Sequence, residues 1–310
     1  MENKLENPYF STKLFGLNNY LEDLINTFEN KIFPSTSLII GKKGIGKFTL
    51  INHFLNYIFD KSYDREKCMI NLNSDFSKKY LGGTFPNIIY LGENNAITPK
   101  IDDIRNIQNK LMKSSFEKKP RFIILDNLDL LNINSLNALL KTLENPGQNN
   151  HFILIQSSEK PLLETILSRS LLTRIHINKM KSNNIIKNLI DEYKIENILD
   201  IEKIQTTPGN FLKFNSICIK NSINTEEDFI DNLRQLFLLF KKSKDKNFIT
   251  FASFLSEKYF NELQLKNPKK ILEINEFKIK TLKIINDFVE YNLNQQTVIN
   301  KISNNLNNAA

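Results

Sequence analysis

The chain has 310 residues, and its 42 Lys and Arg against 34 Asp and Glu give a formal net charge of +8. Hydrophobic residues make up 41% of the sequence and include 23 Phe, enough to bury a core, which excludes a largely disordered protein. Nine Gly and nine Pro exclude a collagen-like or linker-dominated architecture. No apolar run approaches the roughly 20 residues of a membrane span, and no secretory signal is visible. We therefore expect a soluble, cytoplasmic protein without a membrane partner.

The excess positive charge is spread along the chain. Residues 1–178 carry +4, residues 179–222 carry +2 and residues 223–310 carry +2. Local basic clusters at 118–121, 241–246 and 266–270 could meet phosphate groups, but solvated loops and helix ends are the favoured interpretation. This distribution argues against a dedicated basic arm, although a protein that binds DNA directly stays among the alternatives.

The first half alternates short apolar runs with helical patterns, which is typical of a parallel sheet with crossover helices on both faces. The predicted strands are 37–40, 87–91, 121–126, 152–156 and 174–177. Helices are predicted at 50–59, at 101–113, and after Asn134, where the last of them must end before Pro146. The sequence therefore predicts an α/β domain.

Beyond residue 178 the chain reads as all-α, with an interruption at Thr207, Pro208 and Gly209. Amphipathic helices are predicted at 229–240 and 278–291, and the polar tail 301–310 is expected to fray. We place domain boundaries near residues 178 and 222, which gives three parts: an α/β domain at 1–178, a small helical domain at 179–222 and a helical domain at 223–310.

A phosphate-loop motif follows the first predicted strand. In the G-x-x-x-x-G-K-[ST] pattern, backbone N–H groups surround the phosphates, the lysine meets the outer phosphates and the hydroxyl holds magnesium. Phe48 stands at the hydroxyl position, and a phenylalanine cannot ligate a metal. The candidate nucleotide-binding residues are Gly41, Gly44, Gly46, Lys47 and Thr49, with Thr49 one residue late for the hydroxyl position.

The buried strand 121–126 ends in Asp126, the acidic residue that such a site requires. The next position, where a working ATPase carries a carboxylate that positions water, is Asn127, and an amide cannot act as a base. Asp129 is expected to start a helix or lie in a loop. These changes favour a nucleotide loop kept for its shape over a working ATPase.

The segment 121–177 resembles the AAA+ subunits of the bacterial DNA polymerase III clamp loader over some fifty residues. Matching positions include Asn137-Ala138-Leu139-Leu140-Lys141, Leu143-Glu144, Pro146, Thr165-Ile166 and Ser168-Arg169. The resemblance covers residues 8 to about 178, and it implies an AAA+ RecA-like sheet domain at 1–178, a helical lid at 179–222 and a collar that holds subunits together at 223–310.

Within this family the motor subunits hydrolyse ATP, whereas the delta-prime branch has lost its active site. The chain shares such losses at Phe48 and Asn127, and Gly209 is followed by Asn210 and Phe211 where motors place a phosphate-sensing arginine. The resemblance therefore implies a non-hydrolysing subunit of the DNA polymerase III holoenzyme, without intrinsic ATPase activity. ATP binding is doubtful. An active AAA+ ATPase, either a gamma/tau-like motor or a replication and repair enzyme, is the alternative.

Arg169 is the residue for which the family implies chemistry. In this family the corresponding arginine acts in trans, as a finger on nucleotide held by a neighbouring motor subunit. The alternative is an arginine that caps a helix C-terminus or pairs with a nearby glutamate. The implied partners are the gamma/tau motor subunits and the delta subunit in a hetero-oligomer, with the sliding clamp and primed DNA reached through that complex.

No metal or cofactor is predicted. Relatives often carry a four-cysteine zinc module, but only Cys68 stands in the corresponding stretch, so we predict no zinc. Ser170 replaces the final cysteine of the family's S-R-C motif. His151 and His176 are read as a loop residue and a strand residue respectively, so neither is expected to act as a base or a ligand.

Overall fold

The computed structural model describes residues 7–92, 101–111, 119–157 and 163–309. Within these ranges the chain forms two compact units, Met1–Ile195 with Ile201–Asn210, and Glu196–Asp200 with Phe211–Ala310. The predicted division into three parts, with boundaries near 178 and 222, stays a prediction. No helix in the described ranges combines the length and the apolar character that a membrane crossing requires.

The first unit is built on a parallel sheet of five strands in the order β2-β3-β4-β1-β5. The strands are β1 (Thr36–Gly41), β2 (Ile88–Leu91), β3 (Arg121–Asp126), β4 (Asn150–Ser157) and β5 (Leu171–Arg174). Its helices are α1 (Asn18–Glu29), α2 (Lys47–Phe59), α3 (Asp75–Leu81), α4 (Ile101–Leu111), α5 (Ile133–Glu144), α6 (Glu164–Leu167) and α7 (Lys179–Tyr193). The predicted α/β class is confirmed.

Side-chain alternation along the central strands divides the core between the two faces of the sheet. On β3, Phe122 and Ile124 belong to one cluster, which includes residues of α1, α2 and α3. Ile123 and Leu125 belong to the other, together with residues of α4 and α5. Because successive strand residues point to opposite faces, a strand buried on both sides reads as one continuous apolar run. Helices therefore cover both faces of the sheet, as predicted.

The fifth strand was predicted wrongly. The alternation of Arg174, Ile175, His176 and Ile177 predicted a strand at 174–177, but β5 ends at Arg174 and pairs Ser37 of β1 with Leu171. β5 is an edge strand, and its leucines are largely exposed. The apolar pattern used to find buried strands therefore pointed to the segment that follows, where only the backbone N–H of Ile175 continues the pairing, to Ile40.

The two histidine assignments change with these bounds. His151 lies inside β4 rather than in a loop, and its Nδ1 lies 3.0 Å from the carbonyl oxygen of Pro34. Burial lowers the pKa of His151 below its usual value. His176 lies beyond β5 and is exposed.

The other predicted elements of this unit agree with the structure to within a few residues. Helix α5 ends at Glu144, before Pro146, as the proline requires. Helix α4 begins at the predicted residue, and the last two predicted positions, 112 and 113, lie outside the described residues. Helix α2 starts three residues earlier than the predicted 50–59, so Lys47 lies in its first turn.

The second unit is helical. It contains most of α8 (Pro208–Asn221), followed by α9 (Phe229–Ser243), α10 (Lys246–Lys266), α11 (Ile271–Glu290) and α12 (Gln295–Ala309). The predicted interruption at 207–209 is the start of α8, where proline is tolerated in the first turn. The tail was predicted to fray but forms part of α12, because Val298, Ile299, Ile302 and Leu306 give that helix a buried apolar face.

Candidate functional site

The loop between β1 and α2 has the backbone shape of a phosphate loop. Gly44 and Gly46 have φ values of +83° and +93°, a region that side chains with a Cβ rarely adopt. Gly41 ends β1, and a Cβ there would lie 2.8 Å from the carbonyl oxygen of Ile175. The candidate glycines are therefore required by local geometry, whatever the loop binds.

Lys47 is turned into its own loop. Its side chain is 8% exposed, and Nζ donates hydrogen bonds to the carbonyl oxygens of Gly41, at 2.5 Å, and Lys42, at 3.0 Å. In a nucleotide-binding loop this ammonium group meets the outer phosphates. In this chain the protein's own carbonyl groups balance part of its charge.

Residues 207–210, at the start of α8, lie directly against the loop. The Thr207 hydroxyl donates to the carbonyl of Lys43 at 2.7 Å, and the backbone N–H of Gly209 donates to the carbonyl of Gly44 at 2.7 Å. A Cβ on Gly44 would lie 2.4 Å from the Thr207 hydroxyl oxygen. Asn210 therefore stands beside the loop, where the family resemblance predicts a phosphate-sensing arginine in a motor subunit, and the next residue, Phe211, is fully buried.

Phe48 places a buried aromatic ring at the hydroxyl position of the phosphate-loop motif. It is 6% exposed, and its ring centroid lies 4.8 Å from that of Tyr9 and 5.2 Å from that of Tyr90, both in edge-to-face geometry. Tyr9 also contacts Tyr80, with centroids 5.4 Å apart. We refer to Tyr9, Phe48, Tyr80 and Tyr90 as the aromatic cluster.

The aromatic cluster reaches the acidic residue at the end of β3. The hydroxyl of Tyr90 donates to a carboxylate oxygen of Asp126 at 3.1 Å. Burial raises the pKa of Tyr9 and Tyr80 far above the usual tyrosine value, and the nearby Asp126 charge acts in the same direction. The phenols of Tyr9 and Tyr80 are therefore neutral at physiological pH.

These residues do not fit a magnesium ion. Mg²⁺ requires a nearly octahedral set of oxygen ligands, commonly one or two carboxylates, several waters and phosphate oxygens. The position that should supply the hydroxyl carries the Phe48 ring, and the carboxylate of Asp126 accepts a hydrogen bond from a phenol. Thr49, one residue later, is partly buried in the first turn of α2. No group of three or more His, Cys, Asp or Glu suited to a metal occurs in the described part of the chain.

The residues that follow Asp126 form a turn whose Asp129 side chain bonds to the last residues of β4. Asn127 adopts a left-handed conformation, with φ of +67°, which asparagine tolerates better than most residues. Asp129 lies in a short 3-10 turn and accepts hydrogen bonds from the Gln156 side chain and from both the backbone and the hydroxyl of Ser157. This carboxylate therefore ties the ends of β3 and β4 together, from a short 3-10 turn where a residue at a helix start or in a loop was expected.

Arg169 lies between α6 and the edge strand β5. One terminal nitrogen donates to Glu144 Oε1 at 2.8 Å, and the other donates to the carbonyl of Thr165 at 3.0 Å and to the Ser168 hydroxyl at 3.3 Å. The Arg169 side chain remains 35% exposed and that of Glu144 50%. Within the single chain Arg169 thus makes the contacts of a capping and ion-paired residue, at an exposed edge of the sheet.

Sequence reasoning missed the three tyrosines of the aromatic cluster. Tyr9 comes from a 3-10 turn at Pro8–Phe10, Tyr80 from α3 and Tyr90 from β2. No spacing rule connects three separate elements. The available signal was Phe48 itself, because a large apolar ring at a metal position must pack against something.

The fold and this loop define a class. A parallel sheet in the order 2-3-4-1-5, with a phosphate loop after the first strand and an acidic residue ending the third, is an AAA+-type domain, and here Phe48 at the hydroxyl position of the loop packs against Tyr90. The model of the family described as DNA polymerase III, delta subunit, matches residues 16–181. That match covers more than half of the chain, and the chain belongs to this family.

Individual relatives agree with the predicted resemblance to clamp-loader subunits. The DNA polymerase III subunit delta' of Buchnera aphidicola subsp. Schizaphis graminum is 32% identical over 160 residues, which is 51% of this chain and 46% of that protein. The DNA polymerase III subunit gamma of the same organism is 28% identical over 251 residues, 76% of this chain and 67% of that protein. The chain spans about half the length of the curated delta' relatives it matches.

Among solved structures, a gamma subunit-related protein of Thermotoga maritima aligns with 94% of this chain and 99% of its own, at 16% identity and a TM-score of 0.49.

Proposed function

We propose that the chain is a non-hydrolysing subunit of delta-prime type in the DNA polymerase III clamp loader, and that it works in the cytoplasm. The observation that carries this proposal is the aromatic cluster at the magnesium position, where Phe48 packs against Tyr90 and Tyr90 bonds to Asp126. Phosphoryl transfer depends on a metal that neutralises phosphate charge and on a group that positions the attacking water. At the position of the metal-binding hydroxyl this chain carries the Phe48 ring, and at the position of the water-positioning carboxylate it carries Asn127.

The contribution that we propose for this subunit is Arg169, supplied in trans to nucleotide on a neighbouring motor subunit. A guanidinium group on the developing phosphoryl charge can raise a hydrolysis rate by several orders of magnitude. Two observations support this role: Arg169 lies two residues before the edge strand β5, and about a third of its side chain is exposed. A neighbouring subunit could therefore approach it without disturbing the sheet.

The proposed partners are motor subunits of gamma/tau type and a delta subunit. Loading of the sliding clamp onto primed DNA would be carried out by the whole complex. Helices α9 to α12 are the proposed collar, and residues 179–222 the proposed lid. We propose no zinc and no bound cofactor for this subunit.

The first experiment measures ATP hydrolysis by the purified chain, with and without primed DNA. No turnover is expected, because Phe48 stands where a hydroxyl would hold the metal and Asn127 stands where a carboxylate would position the attacking water. The matched control is Lys47→Ala, which removes the loop ammonium group. Appreciable turnover that Lys47→Ala abolishes would overturn the proposal.

The second experiment tests Arg169 in a complex reconstituted with motor subunits and clamp. Arg169→Ala should reduce DNA-stimulated ATP hydrolysis at least tenfold. Arg174→Ala is the matched control, because Arg174 is an exposed arginine on the adjacent β5. If Arg169→Ala and Arg174→Ala both hydrolyse ATP at the wild-type rate, the finger role is rejected.

The alternative is an active motor of gamma type, and one observation favours it: the gamma relative aligns with 76% of the chain. A motor must bind ATP and magnesium tightly. Equilibrium dialysis with labelled ATP, with and without magnesium, separates the two proposals. Magnesium-dependent binding by the wild-type chain would favour the motor.

A further inference from the structure

Arg169 makes three side-chain contacts within the described part of the chain. Its guanidinium group donates three hydrogen bonds, to Glu144, Thr165 and Ser168, and an arginine carries five N–H donors. Thr165 and Ser168 are near neighbours in sequence, whereas Glu144 comes from the end of α5, 25 positions away. Glu144 is therefore the contact that depends on the tertiary fold.

Glu144 occupies a position that disfavours a carboxylate. It is the last residue of α5, where the helix dipole is negative and where lysine or arginine would be stabilising. The cation of Arg169, 2.8 Å away, offsets this repulsion. The Glu144 carboxylate and the carbonyl oxygen of Thr165 in α6 both accept hydrogen bonds from the guanidinium group. A nucleotide phosphate would offer the same group oxygen acceptors and negative charge.

We infer that Glu144 is a positioning residue that holds Arg169 in a resting position and competes with the neighbour's nucleotide for it. This inference rests on the proposed finger role. A carboxylate 2.8 Å from the guanidinium would lie close to any phosphate that the same group contacts, and two anions at that separation repel each other. Engagement of nucleotide by Arg169 therefore requires release from Glu144.

The resting pair is weak enough to be opened by nucleotide. Both side chains are substantially exposed, at 35% and 50%, and ion pairs of this kind shift an equilibrium only about 1.5- to 5-fold. A protein whose competent state is fractionally populated binds its ligand more weakly by that same fraction. Glu144 should therefore raise the KM of the neighbouring motor for ATP by about 1.5- to 5-fold, while kcat at saturating ATP stays the same.

The experiment titrates ATP against the reconstituted complex carrying Glu144→Gln, Arg169→Ala, or both. Glu144→Gln should lower KM by about 1.5- to 5-fold at unchanged kcat, and this difference should shrink as salt screens the exposed pair. The double variant should match Arg169→Ala alone, because the effect passes through the arginine. Glu22→Gln is the matched control: it breaks another exposed pair, with Arg65, of the same 2.8 Å length.

The outcomes separate this inference from the proposed function. If Arg169→Ala leaves hydrolysis unchanged, the finger role fails and the inference fails with it. If Arg169→Ala lowers hydrolysis but Glu144→Gln leaves KM unchanged or raises it, the finger role stands and the competing role of Glu144 is refuted. If the ion pair between Glu144 and Arg169 only stabilises the fold, we expect that second result together with a lower melting temperature of the isolated Glu144→Gln chain.

Discussion

Replacing Phe48 with threonine restores the hydroxyl of the phosphate-loop motif, yet we expect it to destabilise the protein without restoring magnesium binding. The ring is 6% exposed and contacts Tyr9 and Tyr90 edge to face. A threonine leaves a gap between these tyrosines. It also places a new hydroxyl group among aromatic rings.

The expected loss follows from the burial of the ring. Truncation of a buried phenylalanine to alanine costs about 3–5 kcal/mol. The threonine methyl group recovers about 1 kcal/mol, but a buried hydroxyl without a partner costs about 1–3 kcal/mol. We therefore expect Phe48→Thr to lower the free energy of unfolding by roughly 3–7 kcal/mol, a large part of the 5–15 kcal/mol typical of folded proteins.

The assay is urea unfolding of the isolated chain. Tyrosine emission is a direct probe, because the sequence has nine Tyr and no Trp, and three of the tyrosines belong to the aromatic cluster. Amide hydrogen exchange of α2 then assigns the loss to the loop region. Phe48→Leu keeps most of the apolar volume, so this matched control should lose clearly less than Phe48→Thr.

Two results would refute the reasoning. A loss below about 1 kcal/mol for Phe48→Thr would mean that the ring is not packed as a core residue. Magnesium-dependent ATP binding by Phe48→Thr, measured by dialysis, would mean that this ring alone excludes the metal and that the tyrosines around it contribute nothing.

Burial lowers the pKa of His53 to about 4 from 6.5, so the unfolded chain binds more protons between these values. The free energy of unfolding should therefore fall by up to about 3 kcal/mol as the pH drops from 6.5 to 4, and urea titrations of His53→Gln should lack that component. Gly44→Ala should lower the melting temperature more than Gly83→Ala: both have positive φ, but a Cβ has open space only at Gly83. Equal effects would show that the contacts of the loop with residues 207–210 are unimportant. Asp129→Ala should cost about 1–3 kcal/mol in urea unfolding, because it leaves the Ser157 donors without that carboxylate; a neutral result would contradict the described hydrogen bonds.

The fold was predictable from the sequence wherever strands are buried on both faces. Both ends of β3 could be predicted to the correct residue, because every position from Arg121 to Leu125 is buried. β5 was misplaced by three residues because an edge strand with exposed leucines carries no such pattern. The tail was misjudged for the opposite reason: many asparagines hid an apolar stripe that α12 buries.

The candidate site was predictable only as far as motif spacing extends. Phe48 and Asn127 were found because a motif states which residue type belongs at each position. The aromatic cluster was not found, because Tyr9, Tyr80 and Tyr90 meet only after three separate elements have packed on α2. For Arg169 the sequence supplied both Glu144 and the arginine, but their pairing depends on how the end of α5 meets α6.

The changes at the nucleotide loop are physically coupled. The half-buried carboxylate of Asp126 accepts a hydrogen bond from Tyr90, and the ring of Tyr90 packs on Phe48. The ammonium group of Lys47 is held by carbonyls of its own loop. Asn127 sits in a left-handed conformation that a glutamate would enter only at a cost of about 1–2 kcal/mol. Several polar groups that would bind magnesium and ATP in a motor subunit thus have partners within this chain. These contacts within the chain hold the phosphate loop in its shape.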